Sequence, residues 1–510
     1  MRRRAGFVIL LLLFVAAAGV AIARRGPWYD EFYSFYLVRP DAPVGVLAPA
    51  WLRDNHPPLF YGLAWAWARL LGLAGLAGTV QALRTINLVA LGMAVTAFVQ
   101  LARADPWFRR LVWPYALALA ALFPALDRID QLRSYFLSLV LTALVVPLLA
   151  RLITRDHGRT NPVMLGVVLA LAFSVHMVTT VIVAGLTAAT GAHLLMARRW
   201  HDAWRLVLTA ALALIPFALA MLLQLSTIVA NTRTFWIPPG WNAARWAIES
   251  ELSGAVLANP LLTACGAAGI CLLVVSARAG DGASRATLSV IATLGTAIML
   301  ALAVLVYAHL HRPLLITRYL VALDPVVAFM LALAAEHALR QMPRRAGGWI
   351  DLGLLLGTAL ALQTNLATTV RQWSWNGTSA TIAAQVRRCP DTLIYPDMQW
   401  NGEVLNSTPR DNAQVLPFAY ATMARRYGFA LAPAGSRRLS PTCPTLFWTE
   451  HVAGLHPDAT TVLRALRTAG YPVRSGRMAR SDIGWVLITP PAPANQAGRQ
   501  SRTTASNSST

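Results

Sequence analysis

The chain has 510 residues, 56% of them hydrophobic and 13% charged, with 44 basic against 22 acidic residues and a formal net charge of +22. A soluble chain this apolar could not cover its own surface, so the composition excludes a soluble globular protein and points to an integral membrane protein. All the basic residues are arginine, which excludes Schiff-base lysine chemistry and a Walker-type phosphate loop.

Arginine stays charged at any working pH and grips phosphate with two parallel bonds. The arginines lie mostly between apolar runs, so they read as topology-setting loop charges; no nucleic-acid partner is expected, and membrane lipids are.

In chain order, Met1-Arg2-Arg3-Arg4 leads into a first membrane-length run, Phe7 to Ala23. A cleavable signal peptide is the alternative reading, and either one brings Asp30 out on the outer side. Next come Trp28-Tyr29-Asp30-Glu31-Phe32-Tyr33 and a second polar cluster, Asp54-Asn55-His56-Pro57-Pro58-Leu59. Adjacent carboxylates beside a bilayer are costly, and their usual justification is a cation, a proton transfer or a sugar hydroxyl. Further apolar runs cover 84–102, 112–127, 134–150, 162–180, 181–197, 206–225, 258–277, 287–307, 314–335 and 349–366. The run from Pro57 to Gly78 is long enough to cross but carries Arg69.

The positive-inside rule decides the reading of that run. If 57–78 does not cross, the loops holding Arg103/Arg109/Arg110, Arg151/Arg155/Arg159, Arg198/Arg199/Arg205, Arg278/Arg285 and Arg340/Arg344/Arg345 are all cytoplasmic; if it crosses, all move outside. We read 57–78 as an interfacial or re-entrant helix, although this leaves Arg24, Arg25, Arg39, Arg53 and Arg69 outside. The expectation is about eleven transmembrane helices, a cytoplasmic N-terminus and an outer C-terminus. The outer face then collects Asp30, Glu31, Asp54, His56, Asp127, Asp130, Arg133, His176, the 226–257 loop and His309 to Tyr319.

Hydrophobicity falls after about Thr368. Helix-like and strand-like stretches alternate over 373–490, which predicts a small α/β domain with a parallel sheet. The predicted organisation is a transmembrane module over 1–370, an extracytoplasmic α/β domain over 371–490 and a disordered tail over 491–510. Cys389-Pro390 and Cys443-Pro444 each precede a strand. An extracytoplasmic domain permits a disulfide between Cys389 and Cys443, the alternative being two free buried thiols.

The polar elements, in this order, resemble the GT-C superfamily of polyprenyl-phosphate-sugar-dependent glycosyltransferases. The branch with protein O-mannosyltransferases and bacterial lipid A aminoarabinose transferases looks most similar. Asp30-Glu31 lies in the first outer loop, and His56-Pro57-Pro58-Leu59 matches a His/Lys-Pro-Pro-Leu element. Leu83-Arg84-Thr85-Ile86-Asn87 looks like the arginine that begins the next span. Asp130-Gln131-Leu132-Arg133-Ser134-Tyr135 resembles Gln-Glu-Ala-Arg-x-Tyr, and Ile316-Thr317-Arg318-Tyr319-Leu320 resembles a late Arg-Tyr-Leu element. Leu132 stands where the family often has Glu, which weakens any two-carboxylate metal site unless Asp130 substitutes. The resemblance covers residues 1–340.

The resemblance implies an inverting transferase of a bacterial inner membrane. It would move a sugar from a polyprenyl-phosphate donor to a lipid, glycan or protein acceptor on the extracytoplasmic side. Asp30 would be the general base, or would pair with Arg24 or Arg25. Glu31 would orient Asp30, bind sugar or assist a metal, or would be a helix N-terminal charge. His56, Arg133, Tyr135, Arg318 and Tyr319 would hold the donor phosphate and sugar. Helix-start bonding for His56, ion pairing with Asp127 or Asp130 for Arg133, and interfacial anchoring for Arg318 and Tyr319 are the structural alternatives. No cofactor is firmly implied; a divalent cation at Asp30 and Asp130 is a candidate. His176 reads as structural, the His309/His311 pair could bind a metal, and Trp236, Trp241 and Trp246 could stack on sugars or sit in the membrane belt. The rival from another class is a lipid or sugar-lipid transporter, for which the chain lacks an internal repeat. A third reading is a non-catalytic assembly subunit that kept the scaffold.

Overall fold

The computed structural model describes residues 2–154, 161–231, 237–401, 414–450, 457–481 and 483–492. Trp236 and the tail beyond Ala492 lie outside the described residues. The chain packs as two compact units, one formed by Met1–Arg24 and Leu37–Arg371, the other by Arg25–Tyr36 and Gln372–Thr510.

The first unit is helical, and its helices begin where the sequence supplies caps. Asp105-Pro106, Asn161-Pro162 and Asn259-Pro260 each put a carbonyl or carboxylate oxygen on the first free N–H groups and a proline in the first turn. Asp281 caps the Gly282–His311 helix in the same way, through Ala283 and Ser284.

Among the described residues, eight helices are long and apolar enough to cross a membrane. The pair Pro106–Ala121 and Phe123–Ile129, bent by 68°, makes a ninth if taken as one span. The bend follows from Pro124, which has no N–H to offer the carbonyl of Ala120. Pro162–Val175 and Asp324–Gln341 occupy the other two expected runs. The 314–335 run divides at Asp324-Pro325, because proline belongs in a first helical turn. The stretch before it is irregular apart from one 3-10 turn, Thr317–Tyr319. The Leu59–Leu73 helix has 15 residues, roughly 22 Å at 1.5 Å per residue, short of a ~30 Å hydrocarbon core.

Small residues let helices approach closely. A Cβ on Gly269 would collide with the carbonyl oxygen of Ala334, so Pro260–Arg278 and Asp324–Gln341 cross nearly backbone to backbone. One end of the bundle is tied by charge. Arg3 bonds Glu336 at 2.8 Å and Asp351 at 2.9 Å, while Trp113 donates to Asp351 at 3.1 Å. Arg151 pairs with Asp105 at 2.9 Å.

The second unit carries a four-stranded sheet: β1 (Leu393–Pro396), β2 (Thr445–Thr449), β3 (Arg477–Arg480) and β4 (Trp485–Thr489), in the order β1-β2-β4-β3. The parallel expectation holds only for β1 and β2; β4 runs antiparallel to both β2 and β3. The reason is local, since so short a connection between β3 and β4 permits only a hairpin. β2 and β4 are buried throughout, and arginine-bearing β3 forms the exposed edge. Cys389 and Cys443 form a disulfide with Cα atoms 5.7 Å apart.

Candidate functional site

In the helical unit, the polar residues converge around the turn that holds His56. Asp54 is buried and accepts from Tyr61 Oη at 2.6 Å, with His56 Nδ1 3.0 Å away. A buried carboxylate costs several kcal/mol unless it is paired, so these partners decide its state. Burial opposes its ionisation, yet the charges of His56 and Arg133, with the bonds from His56 and Tyr61, hold it well below the usual carboxylate range. The turn is fixed from the Trp200–Asn231 helix, where buried Gln224 donates to the carbonyls of Trp51, Asp54 and His56 at 2.9–3.1 Å.

Around His56 stands an aromatic wall. Its ring lies 5.3 Å from His176 and 6.5 Å from Tyr319. Tyr135 lies 5.7 Å from His176 and 5.9 Å from Tyr319, and His176 lies 5.0 Å from Tyr319. The Arg318 guanidinium sits over both tyrosines, 6.0 Å from Tyr135 and 5.7 Å from Tyr319. Arg128 covers Tyr135 from 5.8 Å. A small cavity is lined by His56, Phe60, Tyr61, Arg133 and Ser134.

His176 caps the Met177–Met196 helix by accepting from the Val178 N–H at 3.3 Å. Burial, then the charges of His56, Arg133 and Arg318, push its proton affinity well down, against a smaller opposing effect of Asp54. The His176 ring is thus packed among His56, Arg133 and Arg318. The Tyr135 hydroxyl is buried and has no hydrogen-bond partner among the described residues. Such a group calls for a ligand or water. Two arginines, a histidine and a buried hydroxyl donor suit a phosphate.

The loop that carries Arg318 is anchored by His309. Its Nδ1 accepts from the N–H groups of Leu314 and Leu315, both at 3.0 Å, and its Nε2 faces the Gly240 carbonyl at 3.2 Å. Both ring nitrogens are thus committed to backbone, while His311 Nδ1 contacts the Tyr307 carbonyl. Trp241 and Trp246 are exposed on the Trp241–Leu257 helix.

A second polar element comes from the bent Phe123–Ile129 helix. Asp127 pairs with Arg128 at 2.5 Å and accepts from Gln131 at 3.1 Å. Asn87 donates to the carbonyls on either side of Asp130, those of Ile129 and Gln131. Asp130 and Leu132 are fully buried. Among the described residues no group of three His, Cys, Asp or Glu is placed to hold a metal ion.

Asp30 and Glu31 belong to the second unit. They occupy the first turn of the Tyr29–Val38 helix, where the helix dipole favours negative charge. Asp30 is partly exposed and Glu31 is fully buried. Phe32 packs on Trp375 at 4.9 Å and Phe35 on Phe418 at 5.1 Å.

Tyr61, Gln224 and the anchoring role of His309 are additions to the sequence reading. Gln224 had a signal, as a lone amide inside a long apolar run. Tyr61 had none, since nothing in Phe60-Tyr61 points to Asp54.

The fold, helices long and apolar enough to cross a membrane together with a small α/β unit, has counterparts among solved structures. In particular, it is similar to ArnT from Cupriavidus metallidurans in the apo state, with a TM-score of 0.55 at 14% identity over 97% of this chain and 100% of that one. The crystal structure of the same organism's ArnT bound to undecaprenyl phosphate gives 0.53 at 12% identity, covering 95% and 99%. No protein-family model matches the chain, and no curated protein matches it.

Proposed function

We propose that the protein is a membrane glycosyltransferase that takes a sugar from a polyprenyl-phosphate carrier and passes it to a hydroxyl acceptor. The observation that carries this is the cluster of His56, Arg133 and Arg318 about His176, whose ring packs on that of Tyr135, a buried tyrosine whose hydroxyl has no hydrogen-bond partner among the described residues. The likeness to an ArnT bound to undecaprenyl phosphate supports a lipid phosphate as its ligand.

In this reading Asp30 is the general base. As the acceptor oxygen bonds to the anomeric carbon, its proton passes to the Asp30 carboxylate. The carbon–oxygen bond to phosphate breaks, and polyprenyl phosphate leaves with the electron pair. A single displacement inverts the anomeric centre. Arg133, Arg318 and His56 stabilise the charge gathering on phosphate, and the Tyr135 hydroxyl donates to a phosphate oxygen. Glu31, buried beside Asp30, fixes the base. The expected setting is a bacterial inner membrane with the α/β unit outside, where a disulfide persists.

The test is release of undecaprenyl phosphate from undecaprenyl-phosphate-linked hexoses and pentoses by the purified protein. Mass spectrometry of added lipid, glycan and peptide acceptors reads the other product. Asp30→Asn should abolish release without changing the melting temperature; full turnover in that variant would end the assignment of the base.

A further inference from the structure

We infer that Trp375 is the positioning residue for Asp30. The inference rests on the reading of Asp30 as the base. The segment Arg25–Tyr36 follows the first apolar helix directly, yet it packs with residues 372 onward as one compact unit.

Four kinds of contact make the join. The Trp375 N–H donates to the Pro27 carbonyl at 3.0 Å. Arg25 donates to the side-chain carbonyl of Gln372. Gly26 lies so close that a Cβ there would stand 2.5 Å from the Asn376 and Ser374 side chains. The Phe32 and Trp375 rings, 4.9 Å apart, fix the helix face itself, and Phe418 takes Phe35 and Tyr36 at 5.1 and 5.4 Å.

Trp375 is fully buried and is itself held, 5.0 Å from Tyr420 and 6.2 Å from Trp448 of β2. A rigid line of rings thus runs from the sheet to Phe32, two residues beyond Asp30. A general base works only within hydrogen-bond reach of its proton, and a displacement of about 1 Å can cost on the order of 100-fold in rate. The residues that hold phosphate lie in the helical unit. Loosening this line should therefore slow the chemical step and leave phosphate binding alone.

The experiment uses the full chain in detergent, with undecaprenyl phosphate as the binding probe and the linked hexoses and pentoses as donors. Trp375→Ala should lower kcat at least 10-fold, keep the Kd for undecaprenyl phosphate within twofold, and speed amide exchange over 29–38. Trp375→Phe should restore most of kcat. If Trp375→Ala does not fold, Gly26→Ala takes its place with the same expectations, and the exchange measurement needs no donor. A wild-type kcat, an equal loss of phosphate binding or unchanged exchange over 29–38 overturns the inference. Asp30→Asn separates the two readings: if it turns over, the base assignment falls. If it is inactive while Trp375→Ala is fully active, only the positioning role falls.

Discussion

Arg318 lies over the rings of Tyr135 and Tyr319, which orient its guanidinium without neutralising it. A charge-assisted bond to phosphate is worth about 1.5–3 kcal/mol, so Arg318→Ala should weaken undecaprenyl phosphate binding roughly 10- to 100-fold. Arg318→Lys should recover part of it, since a point charge lacks the fork; titration of ligand binding reads both. Tyr135→Phe makes a sharper case. Removing a buried hydroxyl that has no partner among the described residues should leave thermal stability unchanged or raised, while donor affinity falls several-fold. A joint loss of stability and affinity would assign the hydroxyl to the fold. His56, Arg133, Tyr135, Arg318 and Tyr319 stand out in the sequence through their motifs, and the charge pattern of the loops leads to the expectation that His56, Arg133 and Arg318 share one face. Asp54's bond to Tyr61 is not legible there, because it depends on the angle at which Pro57-Pro58 launches the Leu59–Leu73 helix.

Helices were the most legible elements. Asp-Pro and Asn-Pro pairs state a helix start in two letters, and the structure uses them so at 105, 161 and 259. The sheet was less legible, because strand direction depends on connection length and residues 477–480 carry arginines where a buried strand would not. Glycines report the crossings that apolar runs leave open. Gly269→Ala places a methyl against the Ala334 carbonyl, so the Pro260–Arg278 and Asp324–Gln341 helices must part. Overpacking of this kind costs about 1–3 kcal/mol. A melting temperature several degrees lower in detergent is expected, whereas Gly19→Ala, with open space around it, should leave it unchanged.

On the scale of the molecule, the α/β unit should answer to pH through its buried acids. Burial raises Asp397 to about 7 against a facing Tyr420 hydroxyl, and Glu450 is also pushed well up, by burial first. Raised carboxyls bind protons more tightly in the folded state. For Asp397 the stabilisation is complete below the unfolded value of 3.8 and is lost as pH rises through about 7. The Asp397 share is about 4 kcal/mol at 1.36 kcal/mol per unit. Thermal unfolding of the full chain should therefore show the α/β transition at higher temperature at pH 5 than at pH 8, and Asp397→Asn should flatten the difference. Sequence reading placed this unit as a separate C-terminal piece. It missed that residues 25–36 belong to it, since ring-on-ring docking between distant segments leaves no periodic trace.

That docking sets a schedule for synthesis. Arg25 and its partner Gln372 are 347 residues apart. At ribosomal speeds of about 5–20 residues per second, the partner arrives roughly 20–70 s after the first helix has left the tunnel. Throughout that interval Phe32 and Phe35 have no docking surface, so the nascent chain depends on membrane or chaperone shelter for its earliest loop. Pulse-labelled chains should show the 25–36 segment open to protease until the last quarter of the protein has been made.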